Sequence, residues 1–127
     1  MEKSTGLIFI SLFQSLQWKS LYSQTNTSNT NFSINFALYN EIKIEVVMNS
    51  GTSRFVFTKT IRAGFINSWA DNTYPLYIPL DGGYFIGTGY GAACRFKATS
   101  GLLQFNDLEI NGSSYAVSDC AVQIYGR

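Results

Sequence analysis

From Phe32 to Met48 the apolar residues occupy even positions: Phe32, Ile34, Phe36 and Leu38, then Ile42, Ile44, Val46 and Met48. Ser33, Asn35, Glu41, Lys43 and Glu45 fill odd positions between them. A period of two is that of a pleated strand with one buried face, so the even positions are expected inside. Tyr39-Asn40 interrupts the run and predicts two consecutive strands rather than one very long one. Asn49-Ser50-Gly51-Thr52 reads as a turn, after which Phe55, Phe57 and Ile61 alternate with Arg54, Thr58 and Thr60. Residues 62–75 read as a long loop carrying Trp69, Asp71, Asn72 and Tyr74, because no segment beyond residue 20 shows a clear 3.6-residue period. Pro75 and Pro79 bracket Leu76-Tyr77-Ile78, which marks an edge strand, since proline cannot donate to a ladder.

The second half keeps the same rhythm. Asp81-Gly82-Gly83 is a turn, and the glycines of Gly87-Thr88-Gly89-Tyr90-Gly91 predict a bend or a close strand approach. That segment lacks the Gly-Lys-Ser/Thr ending of a phosphate loop and opens no amphipathic helix. Cys94, Phe96 and Ala98 alternate with Arg95 and Lys97, and Ser100-Gly101 turns the chain. Leu103 and Phe105 are followed by Leu108 and Ile110, a change of parity that predicts a β-bulge near Asn106-Asp107. Asn111-Gly112, between Leu108–Ile110 and Tyr115–Val117, is a hairpin signal because a type I′ turn needs positive φ at both central residues. A last strand is expected over Cys120–Tyr125. About eight or nine short strands with frequent turns predict an all-β fold, an antiparallel β-sandwich of jelly-roll type, with an orthogonal barrel as the alternative.

The N-terminus stands apart. Lys3 and the stretch Gly6–Phe13 imitate the start of a signal peptide, but Gln14, Gln17, Trp18 and Lys19 follow without a small-x-small cleavage site. Residues 1–22 are therefore expected to be a retained apolar segment used for assembly or anchoring, and residues 23–127 the β-domain. The apolar stretch is too short to span a bilayer as a helix. The polar run Ser23–Asn31 is a loop or hinge between the two.

Composition sharpens this picture. A chain of 127 residues suits one domain with its own core. Ten Phe, eight Tyr and two Trp favour half-buried pleated surfaces. Only 13% of residues are charged, and the net charge of +1 leaves no electrostatic footprint for nucleic acid. Such a surface suits an exterior or assembly protein better than a cytosolic enzyme. Cys94 and Cys120 sit in alternating apolar patterns, which favours buried thiols over a disulfide. Three Asn-x-Ser/Thr sequons begin at Asn26, Asn31 and Asn111.

The chain has no His, which removes the commonest general base and zinc ligand. Asp71 and Asp81 are conceivable as a glycosidase pair, and Asp71, Asn72 and Asp81 as calcium ligands. Both acids lie in turn-like sequence, where Asp is common for its local hydrogen bonds, and no EF-hand spacing is present. No enzyme, cofactor or metal is expected. The aromatics carry more: Trp69, Tyr74, Tyr84 and Tyr90 lie near Asp71 and Asn72 in the loop-rich half, and these six are the candidate ligand-binding residues. Rings cover the apolar C–H faces of sugars while amides and carboxylates bond their hydroxyls, so stretches 66–75 and 82–91 are the expected glycan-binding loops. The competing reading places the same rings in a core or a subunit interface.

Trp18-Lys19-x-Leu21, Leu38-Tyr39-Asn40-Glu41-Ile42, Tyr77-Ile78-Pro79-Leu80 and the terminal Ile124-Tyr125-Gly126-Arg127 follow one another in an order that resembles small β-domains at the ends of tailed-phage tail fibres and related virion appendages. The resemblance spans about residues 18–127, rests on loose structural motifs, and transfers no ligand residue. It implies a homotrimeric, extracellular domain on the virion surface that contacts other virion proteins and binds a host-surface glycan or receptor. A purely structural virion role (capsid decoration, head fibre or baseplate) is the alternative, a secreted protein the alternative location, and a polysaccharide hydrolase the remote one.

Overall fold

The computed structural model describes residues 17–25, 31–50, 53–82, 92–110, 113–114 and 120–127. Among the described residues nine strands form one antiparallel sheet: β1 (Lys19–Gln24), β2 (Asn31–Ser33), β3 (Glu41–Ser50), β4 (Ser53–Arg62), β5 (Leu76–Gly82), β6 (Ala92–Thr99), β7 (Leu102–Ile110), β8 (Ser113–Ser114) and β9 (Cys120–Gly126). Neighbours run in the order β1-β9-β3-β4-β5-β6-β7-β2, with β8 added to β7. The two ends of that order, β1 and β2, are brought together by Tyr22 and Phe32, whose ring centroids lie 4.1 Å apart, so the sheet curls into a nearly closed barrel. From Phe32 the contacts continue to Phe96 at 6.0 Å and on to Phe105 at 5.1 Å, an aromatic line through the interior.

The even positions at 32, 34, 36, 42, 44, 46 and 48 are buried, as the alternation requires. Leu38 is the exception, 70% exposed. Residues Phe36–Leu38 form a single 3-10 turn, in which successive side chains no longer alternate across a pleat, and Asn35 caps it by accepting from the Ala37 N–H. The turn also separates the two predicted strands in space: β2 pairs with β7, whereas β3 lies between β4 and β9.

Several local expectations hold. In the β6–β7 ladder Arg95 faces Asp107 and Phe96 faces Phe105, so Asn106 is the extra residue of the expected bulge. Ile110 faces Ser113, the register of a two-residue connection at 111–112, although those two residues lie outside the described ones. β5 pairs with β6 along Leu76–Leu80 but meets β4 only at Asp81 and Gly82, so its proline-bracketed part keeps one side off the ladder. Cys120 is buried. Residues 1–16, the Gly87–Gly91 segment and Tyr115–Val117 lie outside the described residues. Strand β1 runs across position 22, pairing with β9 through a bulge at Leu21.

The long loop expected over 62–75 is not one. Residues Ala63–Trp69 form a helix, α1, which packs against the 3-10 turn and the adjoining ends of β3 and β4. Ala63 and Ile66 are its buried positions, and Ala70 at its C-cap is buried beside them. A helix this short is marginal by itself, and two of those anchors are alanines, which carry little hydrophobic signal. Its ends are held by backbone bonds: the Ala63 N–H donates to Asn40 O at 2.8 Å, and the Ala70 N–H to Ile66 O at 2.9 Å. Among the described residues no helix is long and apolar enough to cross a membrane.

Candidate functional site

A cleft of about 720 Å³ opens where α1 meets the 3-10 turn and the start of β3. Arg62, Gly64, Phe65, Asn67, Ser68 and Trp69 form its helical wall, and Ala37, Tyr39 and Asn40 the wall opposite. Asn40 and Tyr39 are fixed by identifiable backbone contacts. Asn40 donates its N–H to Arg127 O at 2.8 Å and accepts from the Ala63 N–H, so one residue ties the end of β9 to the start of α1. Tyr39 closes the 3-10 turn through its N–H to Phe36 O at 3.2 Å. Its ring lies against Gly126, where a Cβ would come within 2.6 Å of Tyr39 Cδ1.

On α1 the face next to the buried one carries the rings. Phe65 and Trp69, four positions apart, have centroids 6.5 Å apart and are 40% and 67% exposed. Leu38 stands exposed on the neighbouring turn. Such large apolar side chains in water, grouped at a concavity with amide and hydroxyl groups, form the kind of surface that marks a binding site. The cleft lining contains no Asp, Glu or Cys, and Arg62 is its charged residue.

Of the six candidate residues, Trp69 lines this cleft. Asp71, Asn72 and Tyr74 lie in the exposed turn after α1 and do not line it. The Asp71 carboxylate accepts from the N–H groups of Thr73 (2.8 Å) and Tyr74, the local role that Asp commonly plays in turns. Tyr84 and Tyr90 lie outside the described residues. Asp81 forms a salt bridge with Lys59 at 3.0 Å beside the β4–β5 contact. Neither acid faces the cleft, and no group of three potential metal ligands occurs among the described residues.

Sequence reasoning missed Tyr39, Asn40, Arg62 and Phe65. The i, i+4 spacing of Phe65 and Trp69 was the available signal, and it is visible only once 63–69 is read as helix. A second aromatic cluster stands near the same end. Arg127 and Lys43 lie over the Trp18 ring at 4.2 and 4.7 Å, and Lys43 lies 4.8 Å from the Tyr125 ring. Arg127 also pairs with Glu41 at 3.3 Å. These contacts fasten the segment entering β1 to the end of β9, a structural use of the terminal Tyr125-Gly126-Arg127. No family model, curated protein or solved structure matches this chain.

Proposed function

We propose that this protein is a binding domain that recognises a glycan through the cleft beside α1. The observation carrying this reading is the Phe65–Trp69 ring pair, held exposed at the rim of a concavity whose other groups are Tyr39, Asn40, Asn67 and Ser68. Aromatic faces suit the C–H surfaces of sugar rings, and neutral amides and hydroxyls suit their hydroxyl groups. A binding rather than catalytic role is supported by a cleft lining without carboxylate or thiol, in a chain without histidine.

The resemblance to tail-fibre domains extends the proposal to a homotrimeric virion appendage attaching to a host-surface glycan. A jelly-roll-like sandwich is the finer reading of the fold. It is supported by the narrow β4–β5 contact, which leaves β1-β9-β3-β4 and β5-β6-β7-β2 as two four-stranded groups. A continuous β4–β5 ladder in a crystal structure would make the fold a barrel instead.

A glycan array probed with the full chain and with Trp69→Ala tests the function. Binding to a defined set of glycans, weakened in the variant, is the expected result. An array on which the folded protein binds nothing removes the reading. The exposed Leu38, Phe65 and Trp69 also favour a second reading, a purely structural interface with other virion proteins. Light scattering distinguishes it, because disruption of assembly by Trp69→Ala without any glycan binding would favour the structural role.

A further inference from the structure

We propose that the cleft selects an acidic saccharide, with the Arg62 guanidinium reading the sugar carboxylate; this rests on the reading of the cleft as a glycan site. Arg62 ends β4 and immediately precedes α1, so its backbone is set by the ladder on one side and by the helix on the other. Phe65 and Trp69 share one face of α1 at i, i+4, and Arg62, in extended conformation at the N-cap, lines the same cleft. A cation and two rings therefore line the same cleft.

Arg62 lies opposite one carboxylate without forming an ion pair with it. Glu41 faces Arg62 across the β3–β4 ladder, yet its carboxylate is engaged by Arg127 at 3.3 Å. Glu45 pairs with Lys43 at 3.5 Å, Asp81 with Lys59 at 3.0 Å, and Asp71 is held by its own turn. Arg62 forms no ion pair with any side chain that the structure describes, and no carboxylate is among the cleft's lining residues. A planar guanidinium is less strongly hydrated than an ammonium and matches a carboxylate with two parallel N–H donors. With rings beside it for the sugar face and Asn40, Asn67 and Ser68 for hydroxyls, the complementary ligand is a uronic or sialic acid rather than a neutral hexose. An exposed cation by itself would attract any anion. The adjacent rings restrict the choice to an anion carried on a C–H-faced ring.

The test uses the intact chain and calorimetry with sialyllactose, trigalacturonate and a hyaluronan tetrasaccharide, each beside its own methyl ester, plus a panel of neutral oligosaccharides. The ester keeps the ring and removes the charge. At least one acid is expected to bind about ten-fold or more tightly than its ester, the lower end of what a charge-assisted hydrogen bond contributes. Added salt should weaken the acid and not the ester. Arg62→Gln should close the gap by lowering acid affinity far more than ester affinity, and Arg62→Lys should restore part of it; circular dichroism confirms that both variants fold. Equal binding of acid and ester, a gap that survives Arg62→Gln, or binding of neutral oligosaccharides alone overturns the acidic preference and leaves the glycan reading standing. Failure of every acid, ester and neutral oligosaccharide to bind overturns both.

Discussion

Gly126→Ala probes the packing that shapes the cleft. An added Cβ would lie 2.6 Å from Tyr39 Cδ1, 2.8 Å from Tyr39 Cγ and 3.0 Å from Leu21 Cδ1. Carbon atoms in favourable contact stand about 3.5–4.0 Å apart, so the ring must retreat by close to an ångström. The Leu21 methyl is the end of a flexible side chain and can yield. The Tyr39 atoms lie near its backbone, which is pinned by the 3-10 turn and by Asn40. Overpacking of this kind costs about 1–3 kcal/mol. Replacing a strand glycine by alanine returns roughly 0.5–1 kcal/mol of backbone entropy. Two ring contacts under 3.0 Å place the cost in the upper half of that range, so the net loss is about 1–2 kcal/mol, which for a domain of this size lowers Tm by about 4–8 °C. Calorimetry on Gly126→Ala, Tyr39→Ala and the double variant measures it. The cost of Gly126→Ala should largely vanish once the ring is gone, a coupling of at least about 1 kcal/mol. An unchanged or raised Tm for the single variant, or the same cost in the Tyr39→Ala background, would refute the argument.

Gly82→Ala should be more damaging, because φ is 103° there and a Cβ would sit 2.5 Å from the Val56 carbonyl oxygen at the narrow β4–β5 contact. A loss of about 3 kcal/mol or more in urea unfolding is expected. Gly64→Ala meets nothing within 4 Å and lies inside α1, so urea unfolding should show a gain of about 0.4–1 kcal/mol. Trp69→Ala removes a largely exposed ring, so chemical denaturation should show a change of no more than about 0.5 kcal/mol, while glycan affinity falls by roughly 1–3 kcal/mol. Phe96→Ala, at the centre of the aromatic line, should cost about 3–5 kcal/mol in the same assay without touching the cleft.

The sequence by itself determined the antiparallel β character, the inward even positions of 42–48, the bulge at Asn106 and a return of the chain that lets Ile110 face Ser113. These follow from period two and from turn chemistry, which act between residues close in the chain. The tertiary structure decided the rest. The 3-10 turn turns Leu38 outward because Asn35 caps it and β2 and β3 then leave for different partners. Helix α1 forms because Ala63, Ile66 and Ala70 find a surface to cover, and no local pattern announces that surface. The cleft shows the same division. Trp69 was legible as an aromatic without an evident place in a strand, but Tyr39, Asn40 and Arg62 become its neighbours only when the start of β3 meets the end of β4. Period and composition record which side of an element is buried. Which elements meet is set by packing between residues far apart in the chain, and a binding site is made of those meetings.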